Sequence, residues 1–108
     1  KKTWDEYARV FEHYDLVLSP VLAHTTPPLG WLSPAQDFDV LFDRLMKYVS
    51  FTPLNNASGS PAISLPMGAT ELGLPIAVQF SAAHGDERTL LEIAYALEEA
   101  QPWRRIQD

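Results

Sequence analysis

Two short apolar runs, each fenced by glycine and proline, dictate the backbone of this chain. The first lies within Asn55-Asn56-Ala57-Ser58-Gly59-Ser60-Pro61-Ala62-Ile63-Ser64-Leu65-Pro66-Met67-Gly68, and the second within Gly73-Leu74-Pro75-Ile76-Ala77-Val78-Gln79-Phe80. Ile63, Ile76 and Val78 are β-branched and suit a pleated backbone, while the glycines and prolines mark where that backbone must turn. The pattern predicts a turn, a strand over Ala62–Leu65, a Gly-bounded connection and a second strand over Ile76–Phe80. No charge interrupts Ala62–Leu65, which predicts a strand covered on both faces. The connection is too long for a tight hairpin, yet an antiparallel neighbour pair is expected.

Helical periodicity brackets these strands. Thr3-Trp4-Asp5-Glu6 has the spacing of a capping box, and Trp4, Tyr7, Ala8, Phe11 and Tyr14 recur at three- and four-residue intervals behind it. That helix should end near His13. Leu16-Val17-Leu18 reads as a short strand stopped by Pro20, which has no amide proton to pair. Pro27-Pro28, Gly30 and Pro34 make Val21–Ala35 a long loop, a kind of segment that often carries function. Phe38, Leu41, Phe42, Leu45, Met46 and Val49 predict a second helix from Gln36 to Ser50. Thr52-Pro53 then offers a capping hydroxyl and a first-turn proline for a short helix closed by Gly59. A last helix begins at Gly85-Asp86-Glu87, with acids at its positive end and Leu90, Leu91, Ala94, Tyr95 and Leu97 as its buried face. Pro102 ends it.

Composition closes off several functions. The 108 residues suffice for one domain, and the net charge of -6 opposes binding to nucleic-acid phosphates. No run approaches the roughly 20 apolar residues of a membrane span, and no signal peptide is visible. Cysteine is absent, which removes disulfides, thiolate metal sites and a thiol nucleophile. A secreted domain of this size is more often stapled by disulfides, so the expected compartment is the cytoplasm. The first residues are Lys1-Lys2-Thr3, with no initiator Met, as in a processed or truncated piece.

Candidate chemistry is sparse. His13, His24 and His84 each stand without a partner pattern, and no Gly-x-Ser-x-Gly elbow presents a nucleophile. Ser58-Gly59-Ser60-Pro61 reads as a turn at a helix end. His84-Gly85-Asp86-Glu87 lacks the second histidine of a metal site, and Asp37, Asp39 and Asp43 lack the glycine and terminal glutamate of a calcium loop. No metal ligand and no cofactor site is assigned. Trp31, Phe38, Phe42 and Phe51 are either core or the wall of an apolar pocket.

Four segments in order carry a resemblance to a known family. Tyr14-Asp15-Leu16-Val17-Leu18-Ser19-Pro20, the stretch Asn55–Gly68, the stretch Gly73–Gln79 and the helix Gly85–Glu98 resemble the closing part of an amidase signature enzyme. Two positions depart from the family pattern. Ala77 stands where glycine is common, and Ser60 where a larger residue precedes the proline; both touch substrate subclass rather than fold.

The resemblance implies an α/β fold: residues 1–108 as the C-terminal part of a large mixed-sheet domain, its strands covered by helices. It implies a serine hydrolase of carboxylic amides working through a Ser–cis-Ser–Lys triad, without cofactor. That triad would lie upstream, since Lys1, Lys2 and Lys47 are the only lysines and none has the family's context. No catalytic residue is carried over. Thr25, Trp31, Phe38 and Asn55 are the candidates for lining the substrate funnel. The partners implied are the remainder of the amidase chain and a small-molecule amide, with homo-oligomerisation left open and no nucleic acid or membrane. Two alternatives stand beside this reading. One is a fragment of the A-type component of an amidotransferase, and the other a freestanding non-catalytic interaction module.

Overall fold

The computed structural model describes all 108 residues and holds seven elements: α1 (Lys2–Val10), β1 (Leu16–Pro20), α2 (Phe38–Tyr48), α3 (Pro53–Ser58), β2 (Ala62–Ala69), β3 (Pro75–Ala82) and α4 (Glu87–Ala100). The three strands form one antiparallel sheet in the order β1-β3-β2, so the expected neighbour pair is present with β1 added on the far side of β3. The β2–β3 register shifts between Leu65 and Gly68. Pro66 sits there without an amide proton to offer, so an irregularity at that point sacrifices no donor.

Residues opposite one another in a ladder share a face. Leu18, Phe80 and Ile63 form one rung, and Val78 pairs with Leu65 on the same side. Ser19, Gln79 and Ser64 form a rung on the other side, next to Val17, Ser81 and Ala62. One face is therefore apolar and the other polar. Helix α4 packs on β2 and β3, and the core lies beneath it: Leu65, Ala82 and Leu90 are all buried. The side chain of Asp86 accepts from the Thr89 amide and fixes where α4 begins.

Helices α1 and α3 gather on the polar face. The buried hydroxyl of Tyr7 donates to the Ala82 carbonyl at 2.7 Å, tying the first helix to the last strand. His84 stacks on Trp4 with ring centroids 4.3 Å apart, and its Nε2 donates to the Ser58 carbonyl at 2.8 Å. One imidazole thus joins α1, the end of α3 and the turn before α4. Gly59 closes α3 at φ 68, a left-handed conformation that glycine adopts without steric cost.

The later part of the loop between β1 and α2, around Trp31 and Gln36, folds beside α2. Arg44 Nη1 donates to the Trp31 carbonyl at 3.0 Å and to Gln36 Oε1 at 2.8 Å, with its guanidinium 5.1 Å from the Trp31 ring. No residue of α2 is buried. No helix is long and apolar enough to cross a membrane.

Several local expectations are corrected. Helix α1 starts at Lys2, so Thr3 lies inside it and the Thr3–Glu6 capping box does not form; the Asp5 amide bonds the Lys1 carbonyl instead. Thr52 flanks α3 with helical dihedrals, and its hydroxyl makes no capping bond. Leu91 and Tyr95 point outward, 53% and 71% exposed, because the face of α4 that meets the sheet runs through Leu90, Ile93, Ala94 and Leu97. Strand β2 is not covered on both faces: Leu65 is buried, but Ala62 and Ser64 are exposed, since no element of this chain lies over them.

The chain is a thin slab of 43 × 41 × 19 Å. Its radius of gyration is 16.1 Å, against about 13 Å for a compact domain of this length. Only 7 of 108 residues are buried, far fewer than a self-contained core of this length requires.

Candidate functional site

The polar face is organised by Asn55. Its position follows from local chemistry: Pro53 sets the first turn of α3, and Gly59 lets the chain reverse so that Ser60 returns beneath the helix. The Asn55 carbonyl then accepts from the amides of Gly59 and Ser60 at 2.9 and 3.2 Å. Its side chain spans to the sheet. Asn55 Nδ2 donates to Ser60 Oγ at 2.9 Å and to Ser81 Oγ at 3.1 Å, while its Oδ1 accepts from Gln79 Nε2 at 3.0 Å. Ser58 and Ser60 share a further hydroxyl bond of 2.8 Å. Ser58, Gln79 and Ser81 are each at least nine-tenths buried.

One hollow adjoins this network and another lies apart from it. The first, about 330 Å³, lies between α1, the residues entering α3 and the polar rung, with Asn55, Gln79, Ser81 and Ser19 in its lining. The second, about 440 Å³, lies between the Pro20–Thr26 segment, Tyr48 and the start of β3. His24 borders the second. Its Nδ1 donates to the Thr25 carbonyl at 2.7 Å, and its Nε2 is sealed without a partner.

The four predicted funnel residues do not converge. Asn55 lines the first hollow and Thr25 the second. Trp31 lines neither; it lies against His24, ring centroids 4.9 Å apart, with Arg44 beside its ring. Phe38 is 73% exposed at the start of α2 and stacks on Phe42. Of the four aromatics weighed as a pocket wall, only Phe51 reaches the first hollow.

Sequence reasoning missed Gln79, Ser81 and Ser19 as site residues. A signal existed, because Gln79 and Ser81 alternate with Val78, Phe80 and Ala82, placing two polar groups on one face of a strand read only as buried.

Known proteins share the backbone of this chain. The Amidase family profile matches residues 1–91. The chain is 49% identical over 93% of its length to "Putative amidase AmiC" of Mycobacterium leprae, of which it covers 21%. It is 41% identical over 83% of its length to the 6-aminohexanoate-cyclic-dimer hydrolase of Pseudomonas sp. (strain NK87), of which it covers 20%. A solved 6-aminohexanoate cyclic dimer hydrolase complexed with substrate superposes with a TM-score of 0.82 at 40% identity, over 95% of this chain and 23% of that one. The segment thus spans about a fifth of the length of the relatives it matches, and it folds as the corresponding part of them does. By profile, sequence and backbone alike, this chain belongs to the amidase signature family.

Proposed function

We propose that these residues are the C-terminal segment of an amide hydrolase, supplying sheet, core and part of the substrate path to a reactive centre held elsewhere in the polypeptide. The observation that carries this reading is the unfinished core. A slab with 7 buried residues of 108 has the burial of one flank of a larger domain, and the relatives are about five times as long. The reactive set would be the family's Ser–cis-Ser–Lys triad, with the serine attacking a carboxylic amide and neighbouring amides receiving the oxyanion. Thr25 and Asn55, on the two hollows, would border the path of a small amide, with Trp31 and Phe38 shaping the loop and helix outside it.

The test is reconstitution. The segment expressed alone should hydrolyse no amide, and the full-length protein should do so through a serine that an activated phosphonate labels. Turnover by residues 1–108 alone would sink the assignment. A second reading follows from 38% identity, over 94% of the chain, to the A-type component of glutamyl-tRNA(Gln) amidotransferase from Aliarcobacter butzleri. Glutamine-dependent release of ammonia that rises on adding a partner protein would favour it over a freestanding hydrolase.

A further inference from the structure

Residues 22–26 form one wall of the second hollow, yet none of them makes a backbone hydrogen bond to any other part of the chain. The His24 ring reaches across from this wall to the rest of the loop and to α2. It meets Trp31 edge-on, ring centroids 4.9 Å apart and planes at 78°, and lies 6.1 Å from the Tyr48 ring.

The surroundings of His24 fix its protonation. The Thr25 carbonyl can only accept, so the proton sits on Nδ1, which donates to it at 2.7 Å. Nε2 is then a bare lone pair, shut away from solvent with no partner. A neutral ring tolerates that position. An imidazolium would carry a second N–H there, charged and without an acceptor, which costs far more than one missing neutral bond. Nothing nearby compensates. The titratable and charged groups that face the ring both come from α2: Tyr48 and, beyond the indole, Arg44. The Arg44 guanidinium lies 5.1 Å from the Trp31 ring and adds like charge. Pro75, Ile76 and Ala77 at the start of β3 border the hollow without any charge.

We propose that His24 is an acid-sensitive latch, whose neutral ring holds the wall of residues 22–26 against Trp31 and Tyr48 and whose protonation releases that wall and opens the second hollow. The closed wall admits only the neutral ring, whereas the open wall admits either form. Closure is therefore strongest above about pH 6.5, where a solvated imidazole is neutral, and weakens as the pH falls through that range. The latch does not depend on the hydrolase reading.

Full-length protein carrying 5-fluorotryptophan reports the latch by fluorine-19 NMR, with the Trp31 resonance assigned through Trp31→Phe. Between pH 7.5 and pH 5.5 the ratio of open to closed signal should rise about five- to tenfold, about ten being the most that one proton on an ordinary imidazole supplies. His24→Asn keeps a donor for the Thr25 carbonyl, and His24→Phe keeps the ring packing; neither can take up a proton. In whichever of the two folds, the ratio should stay constant to within about twofold over the same range. A wild-type ratio that also stays within about twofold would overturn the proposal. So would a wild-type-like rise in a folded variant, since another group would then carry the response. The readout is independent of amide turnover, so failure here leaves the hydrolase assignment untouched.

Discussion

Replacing Asn55 by alanine puts the organisation of the polar face to a quantitative test. The side chain makes three hydrogen bonds, to Ser60, Ser81 and Gln79, between 2.9 and 3.1 Å. At about 1 kcal/mol net for each, their loss alone costs about 3 kcal/mol. Gln79 and Ser81 are each 6% exposed, so the groups left behind are only partly rescued by water. Water entering from the adjoining hollow offsets some of that, and about 2–4 kcal/mol is the expected loss. This is a large share of the roughly 5–15 kcal/mol that holds a typical domain together. Urea denaturation of the full-length protein, followed by tryptophan fluorescence, measures it. A double-mutant cycle with Gln79→Ala isolates the bond between the two side chains, and a coupling of about 1 kcal/mol or more is expected for direct partners. A loss below about 0.5 kcal/mol for Asn55→Ala, the range of ordinary surface changes, would refute the view that Asn55 organises this face. Strict additivity in the cycle would refute the bond.

Three further substitutions probe separate links. Tyr7→Phe removes a buried hydroxyl from the Ala82 carbonyl and should cost about 1–2 kcal/mol in the same denaturation assay, with α1 amides exchanging faster than those of β3. Gly59→Ala meets no atom within 4 Å, so its cost is purely conformational, about 1–2 kcal/mol, and Gly59→Asn should recover part of it. The Arg105 side chain, and then its backbone amide, hold the Asp108 carboxyl below the usual carboxylate range. Arg105→Ala should therefore raise the Asp108 titration midpoint followed by carbon-13 NMR. The Arg105–Asp108 pair lies on the surface, so this change should leave the denaturation midpoint where it was.

How far the sequence disclosed the fold depended on the range of the governing interaction. The strands around Ile63 and Val78, the start of α4 at Asp86 and the left-handed turn at Gly59 were all legible, because each is set within a few residues. The features that went wrong were decided by remote neighbours. Tyr95 falls on an apolar position by spacing, yet the direction from which the sheet approaches α4 leaves it in solvent. Ala62–Leu65 carries no charge, as a doubly covered strand should, but only its Leu65 side meets a helix here. Thr3 had a capping partner by spacing and Thr52 a capping hydroxyl, but α1 begins two residues too early and Thr52 adopts helical dihedrals.

The site was harder to read for a related reason. Thr25, Trp31, Phe38 and Asn55 follow from the resemblance, which sets a loop and a helix beside a funnel and holds no information about which of their residues share a cavity. What joins Asn55 to Gln79 is a separation of 24 residues closed by strand pairing, and what joins Tyr7 to Ala82 is one of 75. Neither has a local signature. Polarity on the wrong face does have one. A strand that alternates Gln79 and Ser81 with Val78, Phe80 and Ala82 has one face too polar for a plain core and too buried for plain solvent. Asn55 accounts for part of that polarity, and the Gln79 oxygen remains unaccounted for. In a chain this thin, the polar rung can be kept either to seat a neighbouring segment or to hold a ligand. No charged residue lines the hollow above it, so either occupant meets a floor of neutral donors and acceptors and finds no counter-ion for a charge of its own.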